Sequence, residues 1–488
     1  MRSGARERGF RSTIASGARP ALVLIGLVGT ATGGVLPSWL YAVGPAAGLL
    51  LVLVFVAGPF RRSGATGIPG FVGARLDSPP ARRATAVLAT CVVALFVPAL
   101  LRASGLVLVT LLGLPYELAV LTTAATVMAA TLVRAIPDRR GMRPAVPVAV
   151  AGGAAAVWIA FAGPGLRASA APLTLARVAA AGAFSARSPL SGTTAILSGY
   201  SVLLALACGI AVLPTLLSRI TSSDDGRHAR STVLAVLTLS AIALGAGVAL
   251  SAASPGAFAA GGASARLLML GGLATVVAAL YASVASVAAA LTRELTAAGA
   301  GDASSHRFRA VAVATAALGA AVAAVSQGVD LSQLVDWGFA LAASTLFPVL
   351  VLGSWFRDLT RAGAFAGLGA GTAVTVLAAT ASLLASAGIL ALGPTAAALA
   401  GQPTILTLPI SLLVMVAVSR ATRLHIPAEA DRRMLRLHAP EGLGLHLGRA
   451  VGRPLGDVET SSPREQPVHR PDPGACSAVP RRDRSAIL

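Results

Sequence analysis

The chain contains no lysine; all 39 of its basic residues are arginine. Charge of either sign is scarce, at 12% of 488 residues against 55% apolar, roughly half the charge of a soluble protein. With a mean hydropathy of +0.78, that balance excludes a soluble globular chain. Cysteine is nearly missing. Cys91 and Cys208 fall in apolar stretches and Cys476 near the C-terminus, with no paired spacing, so neither a disulfide framework nor a thiolate metal site is expected. His228, His306, His425, His438, His446 and His469 lie between or beyond the apolar stretches. None has a cysteine or carboxylate at metal-ligand spacing. There is no P-loop, no HExxH, no GxSxG in a strand-to-helix context and no embedded acid/base pair. An enzyme is therefore not expected, nor a resident cofactor or metal.

What the chain has is length of apolar run. A spanning helix takes about 20 apolar residues. Stretches of that kind lie near 20–37, 39–58, 85–111, 117–136, 144–162, 196–217, 232–252, 267–291, 309–327, 334–355, 368–392 and 403–419. The reading is an all-α polytopic membrane protein of about 12 transmembrane helices. Arginine occupies alternate gaps, 34 on the side of the N-terminus and 5 on the other. By the positive-inside rule this puts both termini in the cytoplasm, in a cytoplasmic (plasma) membrane. The rule also accounts for the net charge of +20, so no nucleic-acid partner is expected. The first apolar stretch follows Arg2, Arg6, Arg8, Arg11 and Arg19 and runs straight into the next, which reads as an anchor rather than a cleaved leader. From about residue 440 the composition reads as a disordered, basic tail, solvated or attracted to anionic lipid.

Three features inside the apolar stretches bear on function. Arg102 is a charge well within the third stretch, four residues after Pro98. Its guanidinium either meets a carboxylate substrate or snorkels to the interface or caps a neighbouring helix. Gly26, Gly29, Gly33 and Gly34 in the first stretch, and Gly209, Ala211 and Pro214 in the sixth, form two breakable segments five helices apart. Transporters unwind helices at such paired positions to offer backbone dipoles to cargo. Gly363, Gly367 and Gly371 recur every four residues, a spacing that brings helix backbones together in lipid.

The run Asp336-Trp337-Gly338-Phe339-Ala340-Leu341-Ala342-Ala343-Ser344-Thr345-Leu346-Phe347-Pro348, followed by Trp355-Phe356-Arg357 and Thr360-Arg361-Ala362-Gly363-Ala364, resembles the sodium:solute symporter family, most closely its cation/acetate (monocarboxylate) branch. Gly209 to Pro214 with Leu217-Ser218-Arg219, Ala274 to Ala278 with Thr292-Arg293-Glu294-Leu295, and Leu112-Gly113-Leu114-Pro115-Tyr116 are similar to further stretches of that branch. The resemblance implies a LeuT-type 5+5 inverted-repeat core over 20–355, two trailing helices over 356–419, a cytoplasmic N-terminal leader with the start of the first core helix over 1–19, and a cytoplasmic, basic, largely disordered tail over 420–488. It implies symport of a small organic acid, acetate-like, coupled to sodium or a proton by alternating access, with lipid and an accessory membrane protein as partners.

Carried over residue by residue, it implies substrate contacts at Arg102, Gly209 and Ala211, and cation contacts at Ala15, Ala18, Thr275, Ala278 and Ala279. Two departures stand out. Gly17 occupies the place of an aspartate in the first core helix, with Arg19 beside it, and Ala278 and Ala279 replace a hydroxyl pair. They support a second reading, a degenerate relative acting as a sensor, an accessory subunit or an uncoupled facilitator. The family's extra leading helix is also not expected, since an external N-terminus would invert every loop.

Overall fold

The computed structural model describes residues 40–65, 67–134, 192–213, 217, 263–295, 301–329, 331–426 and 430–438. Among these every regular element is helical. The first helix, α1, joins Leu40–Leu51, a π turn at Val52–Val56 and Ala57–Arg62. After it come α2 (Ile68–Leu76), α3 (Pro79–Leu112), α4 (Tyr116–Arg134), α5 (Thr193–Ala211), α6 (Ala263–Leu295) and α7 (Gly301–Val325). Next, α8 joins Leu331–Leu341, a π turn at Ala342–Leu346 and Phe347–Trp355. The last described elements are α9 (Arg361–Ser386), α10 (Pro394–Gly401), α11 (Thr404–Ala421) and α12 (Ala430–His438).

Seven helices among the described residues are long and apolar enough to cross a membrane, and two shorter apolar stretches, Tyr116–Leu132 and Ala279–Thr292, lie in α4 and α6. Nine of the twelve expected stretches thus fall on helices; 20–37, 144–162 and 232–252 lie outside the described residues. Apolar side chains project outward, with Leu318 68%, Leu377 68% and Leu413 69% exposed, as a hydrocarbon surround requires.

Helix ends follow local chemistry that hydropathy does not register. The Ser78 hydroxyl accepts the Ala81 N–H at 3.3 Å, and Pro79 and Pro80 supply the first turn of α3, which therefore starts six residues before its apolar stretch. Gly113 ends α3 in the left-handed region at φ +67°. In α9 the Thr360 hydroxyl caps through the Gly363 N–H at 3.1 Å.

Both π turns have a proline just beyond. Pro59 has no N–H to give the Phe55 carbonyl, and the Trp355 indole N–H donates to that carbonyl at 3.0 Å instead. Pro348 likewise deprives the Ser344 carbonyl, which points at Gly371 of α9. Trp355→Phe keeps a ring beside Phe55 (centroids 6.2 Å apart) but removes the donor. The expected cost is about 1 kcal/mol, read as a lower unfolding temperature in detergent.

Two groups of helices emerge. In one, α5 lies against α1. Glycines set the distance, since a side chain at Gly44 would meet Leu206 at 2.8 Å and one at Gly48 the Ala207 carbonyl at 2.6 Å. In the other, α3, α4, α6 and α7 pack on one another. The third expected span pairs there with the eighth and the fourth with the ninth, each pair five spans apart. Helix α8 packs on both groups, touching α3 and α5, and then on the trailing pair α9 and α11.

The arginine-rich ends gather at one end of the bundle. Buried Arg75 of α2 donates to the carbonyls of Gly353 (3.1 Å), Phe356 (3.4 Å) and Arg357 (3.0 Å). Burial, with Arg433 adding to it, holds its guanidinium below the ordinary arginine value, partly offset by Asp431. Arg361 donates to the Leu76 carbonyl at 2.9 Å. Helix α12 lies across this end. Arg62 donates to the Leu437 carbonyl at 3.1 Å, Arg433 to the Ala74 carbonyl, and Arg357 pairs with Asp431 at 2.5 Å. Neither α2 nor α12 is visible to a search for long apolar runs, because each is only 9 residues long.

Candidate functional site

The interruption expected within residues 208–214 falls where α5 stops, so this helix does not run on through 217 as its apolar stretch suggests. Its last helical residue is Ala211, and the Val212 and Leu213 N–H groups turn back to the Gly209 (3.3 Å) and Ile210 (3.2 Å) carbonyls. The break is buried, with Ala211 and Val212 fully enclosed. Gly209 faces α8: a Cβ there would stand 2.9 Å from the Phe339 ring and 3.0 Å from its carbonyl. Phe339 stacks on Phe96 of α3 at 4.9 Å between centroids, and Gly338 leaves room for that ring, its Cβ position lying 2.7 Å away. The broken end of α5 and the middle of α8 therefore meet α3 across one aromatic pair.

Arg102 is 2% exposed and belongs elsewhere. Its Nη1 donates to the carbonyls of Ser326 (2.6 Å) and Val329 (2.5 Å), and its Nη2 to that of Gln327 (3.2 Å). These carbonyls end α7, and the Tyr116 hydroxyl donates to Ala323 of the same helix at 3.1 Å. Of the two roles set out for Arg102, this geometry is helix capping. A carboxylate at the guanidinium would have to displace main-chain acceptors.

Of the expected cation ligands, Ala15 and Ala18 lie outside the described residues, as do Gly17 and Arg19. Thr275 and Ala278 are on α6, with Ala279 fully buried on the same helix. The Ala279 carbonyl accepts the Ser283 hydroxyl at 2.9 Å. Among the described residues no three histidines, cysteines or carboxylates come together to hold a metal ion.

A polar seam absent from the sequence reading runs between α8, α9 and α11. At the arginine-poor end, Gln333 donates to the Ser382 hydroxyl, and Gln402 Nε2 donates to Asp336 Oδ2 at 3.3 Å. Ser201 of α5 donates to the Gln402 carbonyl and accepts the Ile405 N–H at 3.2 Å. Midway, the Ser344 and Thr375 hydroxyls bond at 3.0 Å, and Ser411 donates to the Gly367 carbonyl at 2.9 Å. At the arginine-rich end, the Thr360 and Thr422 hydroxyls bond at 2.7 Å. Asp336 is 3% exposed, a carboxyl group within an apolar span. It stands in the family-like run 336–348, but Gln402 lies 66 residues away and leaves no local signal beside it.

The class defined by these elements is a polytopic helical membrane protein with a broken helix in its core. A model of the sodium:solute symporter family matches residues 11–137. An uncharacterized symporter of Cupriavidus necator is 58% identical over 43 residues, a match spanning 9% of this chain and 6% of that protein. A solved structure of a Na+-coupled sialic acid symporter in a substrate-bound outward-open state is 13% identical, with a TM-score of 0.49 over 84% of this chain and 89% of that one.

Proposed function

We propose that the protein is a symporter that carries a small monocarboxylate such as acetate, propionate or pyruvate into the cell with a cation, sodium or a proton, by alternating access. The observation that carries this reading is the end of α5 at Ala211, inside an apolar stretch and between α1 and α8. Main-chain groups freed at such a break bind cargo in secondary transporters. The family match over 11–137 and the packing of α3 on α6 and α4 on α7 support the same architecture, an inverted-repeat core.

In this mechanism the α1–α5 pair rocks against the group of α3, α4, α6 and α7. Gly209 and Ala211 set the position of the broken end, and Arg102 holds α3 to the end of α7 rather than reading the acid. The gathering of Arg62, Arg75, Arg357, Arg361 and Arg433 at one end supports a topology with that end in the cytoplasm. An accessory membrane protein and anionic lipid remain part of the proposal at that end.

The test is uptake of labelled pyruvate into proteoliposomes under an imposed sodium or proton gradient, with protein-free liposomes as baseline. Pyruvate is the better probe, because neutral acetic acid crosses a bilayer unaided. Accumulation above baseline that tracks one gradient is the expected result. Binding without accumulation under either gradient would favour a sensor or accessory role, and no binding of any short acid would sink the substrate assignment.

A further inference from the structure

We propose that the arginine-rich end of the bundle carries a binding site for an anionic phospholipid of the cytoplasmic leaflet, formed by Trp355, Arg357 and the outer face of α12. The proposal rests on the topology given above, with this end in the cytoplasm, and names the lipid and its place.

The apolar half of the site is on the rim of the bundle. Val54, Phe55 and Trp355 are exposed within apolar spans, in the arginine-rich halves of α1 and α8. The Trp355 indole stands edge-on to Phe55 and donates to its carbonyl, so the two rings hold one strip. Aromatic rings at the end of a span mark the level of the headgroups. An acyl chain along this strip covers apolar surface that the protein leaves bare.

The polar half comes from α12. Asp431, Leu435 and His438 fall on one stripe of this helix. Both ends of the stripe are anchored beside α8. Asp431 holds Arg357 through both carboxylate oxygens, at 2.5 and 2.8 Å. The His438 ring lies 4.8 Å from that of Trp355, and its Nε2 donates to the Ser354 carbonyl at 2.9 Å. Leu435 stands between these anchors and is 71% exposed. The inner side of α12 is already occupied: Ala430 and Leu437 are buried, Arg62 donates to the Leu437 carbonyl and Arg433 to that of Ala74. The helix therefore lies along the edge of the bundle, with an uncovered leucine beside the aromatic rim.

Charge selects the headgroup. Helix α12 and the turn between α8 and α9 carry Arg357, Arg432, Arg433 and Arg436 against Asp358 and Asp431. Arg432 and Arg436, one turn apart, are exposed and have no ion-pair partner among the described residues. The Arg357–Asp431 pair is exposed at both ends, and such pairs are weak. A headgroup phosphate fits the guanidinium fork that Asp431 occupies, so it can exchange for that carboxylate. Basic groups at the inner surface attract anionic headgroups. A free phosphate would meet the arginines alone and leave Phe55, Trp355 and Leu435 uncovered, which is why the site is assigned to a lipid.

The experiment reads quenching of Trp355 fluorescence by brominated lipid, in the full-length protein with Trp39, Trp158 and Trp337 replaced by phenylalanine. Proteoliposomes of phosphatidylcholine contain brominated phosphatidylglycerol or, in parallel, brominated phosphatidylcholine. Phosphatidylglycerol is expected to reach half-maximal quenching at about a fivefold lower mole fraction, the effect of one arginine near an anionic surface. Joint replacement of Arg357, Arg432 and Arg436 by glutamine should erase that preference. The same change at Arg83, Arg420 and Arg423, exposed arginines outside the site, should leave it in place.

Equal quenching by the two lipids in the protein with its arginines intact would overturn the proposal. So would a preference that survives the first triple replacement, or one that falls as far in the second, which would mark diffuse surface charge. Loss of the preference to inorganic phosphate, but not to chloride at matched ionic strength, would assign the site to a free anion and refute the lipid. Should the single-tryptophan protein fail to fold, native mass spectrometry of the wild type decides. Phosphatidylglycerol retained over phosphatidylcholine, and released by the first triple replacement, supports the site, and equal retention removes it. No readout uses pyruvate, so a failure of the transport reading is seen separately.

Discussion

Replacing Arg102 with methionine is expected to destabilise the protein by about 3 kcal/mol, because three part-buried carbonyls lose the charged donor they share. Methionine keeps most of the apolar volume, so the loss isolates the guanidinium. Three acceptors are affected, the carbonyls of Ser326, Gln327 and Val329 at the end of α7, and water has little access to a side chain that is 2% exposed. Arg102→Lys should recover part of the loss, since an ammonium reaches fewer acceptors than the planar fork. The measurement is the unfolding temperature in detergent beside the apparent affinity for pyruvate. A variant that kept its stability but lost affinity would return Arg102 to the substrate.

The second large effect is expected at Gly371. A Cβ at this position would run into the Ser344 carbonyl, the acceptor that Pro348 leaves exposed in the π turn of α8. The obstacle is backbone and cannot rotate away. Gly371→Leu should therefore push α9 off α8 at a cost upward of about 3 kcal/mol, the upper range for overpacking. Gly369→Leu, two residues away on the same helix, has nothing within 4 Å of its Cβ position and should be tolerated. Equal stability of the two variants would show that the α8–α9 contact is not set by the glycine.

Much of the bundle could be read from the sequence because a membrane span must be long and apolar, and that requirement is one-dimensional. Nine stretches located by hydropathy alone coincide with helices, and the glycines at 363, 367 and 371 were legible as a packing face. In the structure they meet Ser419, Met415 and the Ser344 carbonyl. The break in α5 was legible for a related reason, since glycine and proline within an apolar run act on their own backbone. The proline-linked π turns had a local signal too, at Pro59 and Pro348, that a search for apolar runs does not use.

What could not be read was partnership. Arg102 stood out as an embedded charge, yet its partners lie more than 220 residues away and are main-chain carbonyls, which carry no residue identity. Asp336 was visible only as part of a family-like run, and the choice of Gln402 as its neighbour depends on how the trailing helices fold back onto α8. By itself the sequence determined that the chain crosses a membrane many times, where it can cross, and where one crossing breaks, because those properties follow from side-chain transfer into hydrocarbon and from local backbone chemistry. Only the tertiary structure decided which buried polar groups meet, because a hydrogen bond depends on distances of a few ångströms between helices that the order of residues leaves open.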